Sequence, residues 1–258
     1  MFIDNLALTE ALLLFAAAVL TYVGLTAWWA MRKNDVEKVK AAIRGGAGPV
    51  GAVGVTAVVL GFWSEMVWPY PSVMGGYNIL FNDITVVFGI VMVSFAAVAY
   101  LHLRLQYVGV LAFMAGAVTV LYGWTAYGFH YTKEPFDFLL LYLGFGAAGI
   151  FSLPATAIVD HYLENVSKSD TLWRTDSSSV STRRFLGIRA VAKFAGSTTS
   201  NDSEASGDGG APKLAFRMPL YYHVILLAFP LFMALAGFAA WWFLGTTIPG
   251  HLTPGQTP

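Results

Sequence analysis

The 258-residue sequence is 57% hydrophobic and 12% charged, whereas soluble domains carry about 25% charged residues. This deficit excludes a water-facing surface for most of the chain and makes lipid the expected solvent. The chain has no cysteine, which excludes disulfides, thiol nucleophiles, iron–sulfur ligation and covalent c-type haem attachment.

Six apolar stretches are long enough to cross a bilayer, which requires about 20 residues as a helix. They are residues 6–31, 48–68, 81–103, 107–129, 137–159 and 219–244. The chain opens with Asp4 and Glu10 rather than with a basic segment, so we expect the first stretch to be a retained helix and not a signal peptide. The sequence therefore predicts an all-α, polytopic helical membrane bundle of about six transmembrane helices.

The basic residues predict the orientation of this bundle. Of the 15 Lys and Arg residues, Lys133 alone lies outside the first, third and fifth links between the spans. The positive-inside rule then places those links in the cytoplasm and both termini outside. Residues 163–218 form the longest link, and their Gly- and Ser-rich run 197–210 predicts a flexible basic cytoplasmic loop. Residues 219–258 are expected to form the sixth helix and a short outer tail.

Ionisable residues are predicted to meet at the outer face. The topology brings four of them to a similar depth, namely Glu10, Glu65, Asp83 and His130. Carboxylates with a histidine suit a divalent cation, a proton relay or a polar ligand. The alternative is ordinary interface chemistry, in which Asp83 is favoured simply by the N-terminus of its helix. Further outer-loop candidates are Trp68, Tyr77, Asn78, Asn82 and Glu134.

Three histidines lie at the opposite face of the predicted bundle: His102, His161 and His223. Histidines on different helices at matching depth are weak candidates for bis-His haem ligation. The alternative is that they are solvated interfacial side chains, since haem would sit deeper in the hydrocarbon. The sequence indicates no cofactor beyond these weak candidates, and no phosphate-binding loop or nucleic-acid motif.

The middle of the predicted membrane is nearly free of polar side chains. No ionisable residue occupies the central two turns of any span, and the polar candidates there include Ser94, Thr119 and Ser152. This pattern disfavours an ion-coupled transporter, whose coupling site usually lies near the midplane. The small pairs Ala112/Gly116 and Gly144/Ala148 predict close helix packing, and Pro154 and Pro230 predict kinks.

The chain resembles a family of prokaryotic membrane proteins catalogued as domain of unknown function 981. The resemblance rests on Trp68-Pro69-Tyr70-Pro71, on the run from Gly76 to Asp83, on Val87-Phe88-Gly89, on Thr132-Lys133-Glu134-Pro135 and on Leu153-Pro154-Ala155. It covers about residues 1–160 and, weakly, the last helix. It implies a compact multi-helix fold in the cell membrane of a prokaryote and directs attention to the first outer loop. It implies no activity.

Three classes of function remain open from the sequence. The first is a non-catalytic accessory, assembly or sensing subunit of a membrane complex, with an outer-face polar site, for which the partners are the bilayer and other membrane subunits. The second is a channel or transporter for a small solute, which predicts a polar path joining Ser94, Thr119 and Ser152. The third is a membrane redox or metal-dependent enzyme.

Overall fold

The structure, a computed structural model, describes the backbone of residues 5–67, 79–130, 135–185 and 218–252, and the side chains of residues 7–67, 79–130, 135–166 and 218–245. These residues form α-helices and one π-helical turn, with no strand among the described ranges. The prediction of an all-α fold is confirmed. The helices are α1 Asn5–Arg32, α2 Val36–Val67, α3 Ile84–Tyr100 preceded by a π-helical turn Ile79–Asp83, α4 Gln106–Gly128, α5 Pro135–Phe185 and α6 Leu220–Leu252.

Each of these six helices contains a segment long and apolar enough to cross a membrane. Three of them extend well beyond their predicted spans, and one of these is α6, which continues past residue 244 to Leu252. Helix α2 begins at Val36 rather than at residue 48, and α5 continues past residue 159 to Phe185, into the segment predicted as a loop. The predicted flexible run 197–210 lies outside the described residues.

The chain divides into two compact units. The first contains Met1–His161 together with Met218–Pro258, and the second contains Tyr162–Arg217. In the first unit α2 packs against α3, α1 packs against both α2 and α6, and α3 packs against α4. A core of apolar side chains, including Ala16, Val50, Phe88, Phe145 and Ala236, lies among these helices.

The bundle has two chemically distinct ends. We call the end that contains Glu65 of α2 and Asp83 before α3 the carboxylate end, and the end that contains Arg32 and Arg104 the basic end. Exposed apolar side chains cover the outside of the helices between these ends, among them Phe15, Met66, Leu121, Leu231 and Phe238. Such a surface fits a lipid environment.

Small residues bring α4 and α5 into close contact. A Cβ added at Gly116 would lie 2.5 Å from the Gly146 carbonyl oxygen and 2.9 Å from the Ile150 backbone nitrogen. A Cβ at Gly149 would lie 2.7 Å from the Ala112 carbonyl oxygen. The predicted close packing of the Ala112/Gly116 pair is therefore confirmed. Gly144 of the second predicted pair also makes a close helix contact, but its partner is Ala236 of α6 rather than a residue of α4.

A buried carboxylate on α5 holds the tight turn between α3 and α4 at the basic end. The Leu105 backbone N–H donates to Asp160 Oδ1 at 3.1 Å, and the Gln106 N–H donates to Oδ2 at 2.8 Å. These are backbone donors at the start of α4, which no intrahelical carbonyl satisfies. Asp160 therefore caps the neighbouring helix and ties α5 to α4.

An exposed carboxylate performs the same task for α2. The Lys38 backbone N–H donates to Asp35 Oδ1 at 3.1 Å, and Lys38 Nζ lies 2.7 Å from Asp35 Oδ2. Hydrogen bonding from the Lys38 side chain is the main cause that lowers the pKa of Asp35 below its ordinary value. This contribution to stability is present above the unfolded-state pKa and is lost as the pH falls through the lowered folded-state pKa.

We expect Gly116→Ala to lower the free energy of unfolding by about 1–3 kcal/mol, because the new methyl group meets backbone that cannot move without separating α4 from α5. Gly48→Ala is the matched control, since nothing lies within 4 Å of a Cβ at this helical position. Thermal unfolding of both variants in the same detergent measures the difference. An equal loss in both would contradict the proposed contact.

We expect Asp160→Asn to lower the free energy of unfolding by about 1–3 kcal/mol. The amide replaces one carboxylate oxygen with an NH₂ group, which cannot accept the hydrogen bond from the backbone N–H that faces it. Asp35→Asn makes the same chemical change at an exposed cap, where asparagine serves almost as well as aspartate. Chemical denaturation should therefore separate the two variants. A near-neutral Asp160→Asn would show that the carboxylate does not hold this turn.

Candidate functional site

Two carboxyl groups meet at the carboxylate end of the bundle. Glu65 lies in the last turns of α2, and Asp83 closes the π-helical turn that leads into α3. Their side chains lie within hydrogen-bonding reach of each other. The close pairing of α2 with α3 explains this, since a Cβ at Gly61, one turn before Glu65, would lie 3.3 Å from the Asn82 carbonyl oxygen.

A tyrosine from α4 completes this pair. The Tyr122 hydroxyl donates to Asp83 Oδ2 at 2.8 Å, and both partners are partly buried. Asp83 makes no side-chain hydrogen bond that caps its own helix. The carboxylate therefore makes a contact between helices and does not cap α3 through its side chain.

A second tyrosine fixes the turn that carries Asp83. Tyr142 of α5 is buried, and its hydroxyl donates to the Leu80 carbonyl oxygen at 2.7 Å. Leu80 lies in the π-helical turn, so this bond ties α5 to that turn. The Tyr142 ring also stacks on Phe138, with ring centroids 4.3 Å apart. This arrangement positions Asp83 from the α5 side.

Two polar atoms near the pair are buried and have no hydrogen-bond partner among the described residues. They are Oε1 of Glu65 and Nδ2 of Asn82, and Asn82 is only 5% exposed. Buried polar atoms without partners are rare and costly, which makes them markers of functional or strained sites. We call Glu65, Asn82, Asp83 and Tyr122 the carboxylate site.

Glu10 lies in a cavity next to this site. Its side chain is 2% exposed and lines a cavity of about 20 Å³ together with Thr9, Thr85, Thr119 and Tyr142. Tyr142 therefore borders both the Glu10 cavity and the turn that carries Asp83. The structure brings Glu65 and Asp83 together and places Glu10 in the adjoining cavity.

His130 lies apart from these carboxyl groups. It is exposed, its ring stacks on Tyr127 with centroids 6.2 Å apart, and its backbone has φ of 53° at the end of α4. Among the described residues no group of three or more His, Asp or Glu side chains is arranged to hold a metal ion. Trp68, Tyr77, Asn78 and Glu134, which the sequence also predicts for this site, lie outside the described residues.

The three histidines of the basic end are spread over different surroundings. His102 and His161 are exposed, and His102 has φ of 58° in the turn after α3. His223 is half-buried, and its Nδ1 accepts a hydrogen bond from Trp28 Nε1 at 3.2 Å. None of these imidazoles lines either of the two cavities described in the bundle.

Sequence reasoning did not identify Tyr122 and Tyr142 as site residues. Both lie inside apolar spans, where a tyrosine is expected to face lipid or to pack in the core. A usable signal was the position of each tyrosine inside a predicted span, since a tyrosine hydroxyl buried in a membrane bundle must find a hydrogen-bond partner. Which carboxylate or carbonyl accepts that bond depends on the packing of the helices.

The fold and the site define a multi-pass helical membrane protein with a partly buried carboxyl pair. A family model described as protein of unknown function (DUF981) matches residues 1–172. The chain belongs to this family, and the predicted resemblance is confirmed. No curated protein and no solved structure was found to match it.

We expect Tyr122→Phe to lower the free energy of unfolding by about 1–3 kcal/mol, because the partly buried Asp83 carboxylate loses its hydroxyl donor. Tyr107→Phe on the same helix is the control, because its ring is 68% exposed. Thermal unfolding of the two variants in one detergent makes the comparison. Equal stability of both variants would show that the Tyr122 hydroxyl contributes nothing.

Proposed function

We propose that the protein is a non-catalytic sensing subunit of a membrane complex, and that its carboxylate site responds to pH by gaining and losing a proton. The observation that carries the proposal is that the Glu65 and Asp83 carboxyl groups lie within hydrogen-bonding reach of each other. Two adjacent carboxylates repel each other strongly in a low-dielectric site, so a close pair retains one proton.

The surroundings support assigning that proton to Glu65. Asp83 accepts the Tyr122 hydroxyl and lies at the N-terminal end of α3, where the helix dipole favours a negative charge. A protonated Glu65 can then donate to Asp83. Among the described residues no Lys or Arg side chain pairs with either carboxyl group, and the titratable groups that interact with Asp83 are Glu65, Tyr122 and Tyr142.

Loss of the shared proton supplies a physical signal. Two negative charges would then face each other between α2 and α3, one turn from the close contact of Gly61 with Asn82. Their repulsion acts on the π-helical turn Ile79–Asp83, because Asp83 is part of it. A change in this turn is the means by which the site signals to a partner subunit.

The interior of the bundle gives less support to a solute channel. Thr119 and Ser152 are buried, but the Thr119 hydroxyl donates to the Ala115 carbonyl at 2.8 Å and the Ser152 hydroxyl to the Ala148 carbonyl at 2.9 Å. Both hydroxyls are thus used within their own helices. The side chains of Phe88 and Phe145 lie between the two positions and line the cavities on both sides.

Infrared spectroscopy of the protein in lipid tests the shared proton. We expect a protonated-carboxyl C=O band that persists at neutral pH, disappears at high pH and is absent from Glu65→Gln. Glu37→Gln is the matched control, because Glu37 is an exposed residue of the same helix that pairs with Lys40. A band that persists unchanged in Glu65→Gln would overturn the assignment.

Hydrogen exchange tests the response to pH. After correction for the intrinsic pH dependence of exchange, amides of Ile79–Asp83 should exchange faster once the Glu65 proton is lost. The Glu65→Gln variant should show no such increase. Co-purification of a stoichiometric partner in mild detergent would support the subunit role, whereas a monomer with a pH-independent turn would contradict it.

A further inference from the structure

The larger of the two cavities described in the bundle lies between its centre and its basic end. It has a volume of about 130 Å³. All six helices contribute to its wall, for example through Val23, Val50, Met92, Ala112, Gly149 and Phe229. The cavity is distinct from the carboxylate site, and the Phe88 and Phe145 side chains, with ring centroids 5.3 Å apart, form the partition between it and the Glu10 cavity.

The wall of this cavity is apolar. Its few polar side chains are already bonded: Ser152 donates to its own helix, Thr156 donates to the Ser152 carbonyl at 2.8 Å, and Trp28 donates to His223. Water requires two to four polar partners in a buried site, and this wall does not supply them. The cavity therefore suits a hydrocarbon occupant.

The dimensions fit a single chain of methylene groups. The residues of α4 that line the cavity run from Leu105, which precedes the helix, to Ala115. Ten residues of helix span roughly 15 Å. At about 10–15 Å³ for each water-sized group, the volume holds on the order of ten such groups. The aromatic partition closes the far end of this space.

The basic end provides a positive mouth for the cavity. Trp28 lines the cavity, and the Arg32 guanidinium lies 5.1 Å from the centroid of its ring. Leu105 also lines the cavity and follows Arg104 in the chain. The described carboxylates of this end already have partners, since Asp35 pairs with Lys38 and Asp160 caps α4. An anionic head group is therefore favoured at the mouth.

We infer that this cavity binds the hydrocarbon chain of an anionic, lipid-like amphiphile, with its acidic head group beside Arg32 at the basic end. The shared chemistry is an alkyl chain of about ten carbons within the bundle and a carboxylate or phosphate at the mouth. A free fatty acid and one chain of an anionic phospholipid both satisfy it. The surrounding bilayer supplies either one.

Photolabelling of the full chain in nanodiscs tests the binding. The probe is decanoic acid with a diazirine near the end of its chain, and mass spectrometry maps the labelled peptides. We expect labels on cavity-lining segments of several helices, such as those with Met92 and Phe229. Labels confined to the lipid-facing surface would overturn the proposal.

Cavity-filling variants provide the matched controls. Val108→Phe places a ring in the cavity and should reduce internal labelling about tenfold, since it displaces at least two methylene groups of the probe. Val110→Phe makes the same change at an exposed position of α4 and should have no effect. Leu226→Trp, with exposed Leu231→Trp as its control, repeats the test on α6 in case Val108→Phe fails to fold. An equal decrease in cavity and control variants would contradict the assignment.

Head-group chemistry gives an independent readout. Arg32→Gln should weaken labelling by the decanoic acid probe but not by the corresponding decanol probe, because the alcohol carries no charge. Native mass spectrometry of protein extracted with its own lipids distinguishes the sources: a bound fatty acid or a bound anionic phospholipid supports the proposal. A neutral lipid alone, or equal effects of Arg32→Gln on both probes, would contradict it.

Discussion

The structure depends on one constraint, which is that polar groups inside a bundle surrounded by hydrocarbon must find their partners within the bundle. Asp160 receives the free backbone donors of α4, Tyr142 donates to a carbonyl of the π-helical turn, and the Ser152 hydroxyl returns to its own helix. The first two bonds tie a polar atom to a neighbouring element, and the third satisfies a hydroxyl within its own helix. The glycine contacts between α4 and α5 place the helices close enough for these short bonds to form.

The carboxylate site departs from this pattern. Two acidic side chains face each other, and Glu65 Oε1 and Asn82 Nδ2 have no hydrogen-bond partner among the described residues. Such an arrangement costs stability unless a proton is shared, so its presence is easier to explain by function than by packing. Our proposal of a pH-responsive subunit follows from that cost, and it makes the turn at Ile79–Asp83 the element that responds.

The Phe88 and Phe145 pair separates two kinds of interior. On one side Glu10, Thr85 and Tyr142 surround a small cavity, and on the other side an apolar cavity about 130 Å³ in volume reaches toward Arg32. The two proposals rest on opposite sides of this partition and on different chemistry. A failure of the proton assignment would therefore leave the lipid assignment intact, and the reverse also holds.

The sequence by itself determined the class of fold and the number and approximate positions of the membrane helices, because hydrocarbon length and apolar composition act along the chain without reference to tertiary contacts. It also identified Glu65, Asp83 and Glu10 as candidates, since acidic residues stand out in apolar spans. Only the tertiary structure decided that Glu65 meets Asp83, that Tyr122 joins them and that His130 stays outside. Those outcomes depend on how the helices rotate and pack, which small residues such as Gly61 and Gly116 control through distances that no linear pattern records.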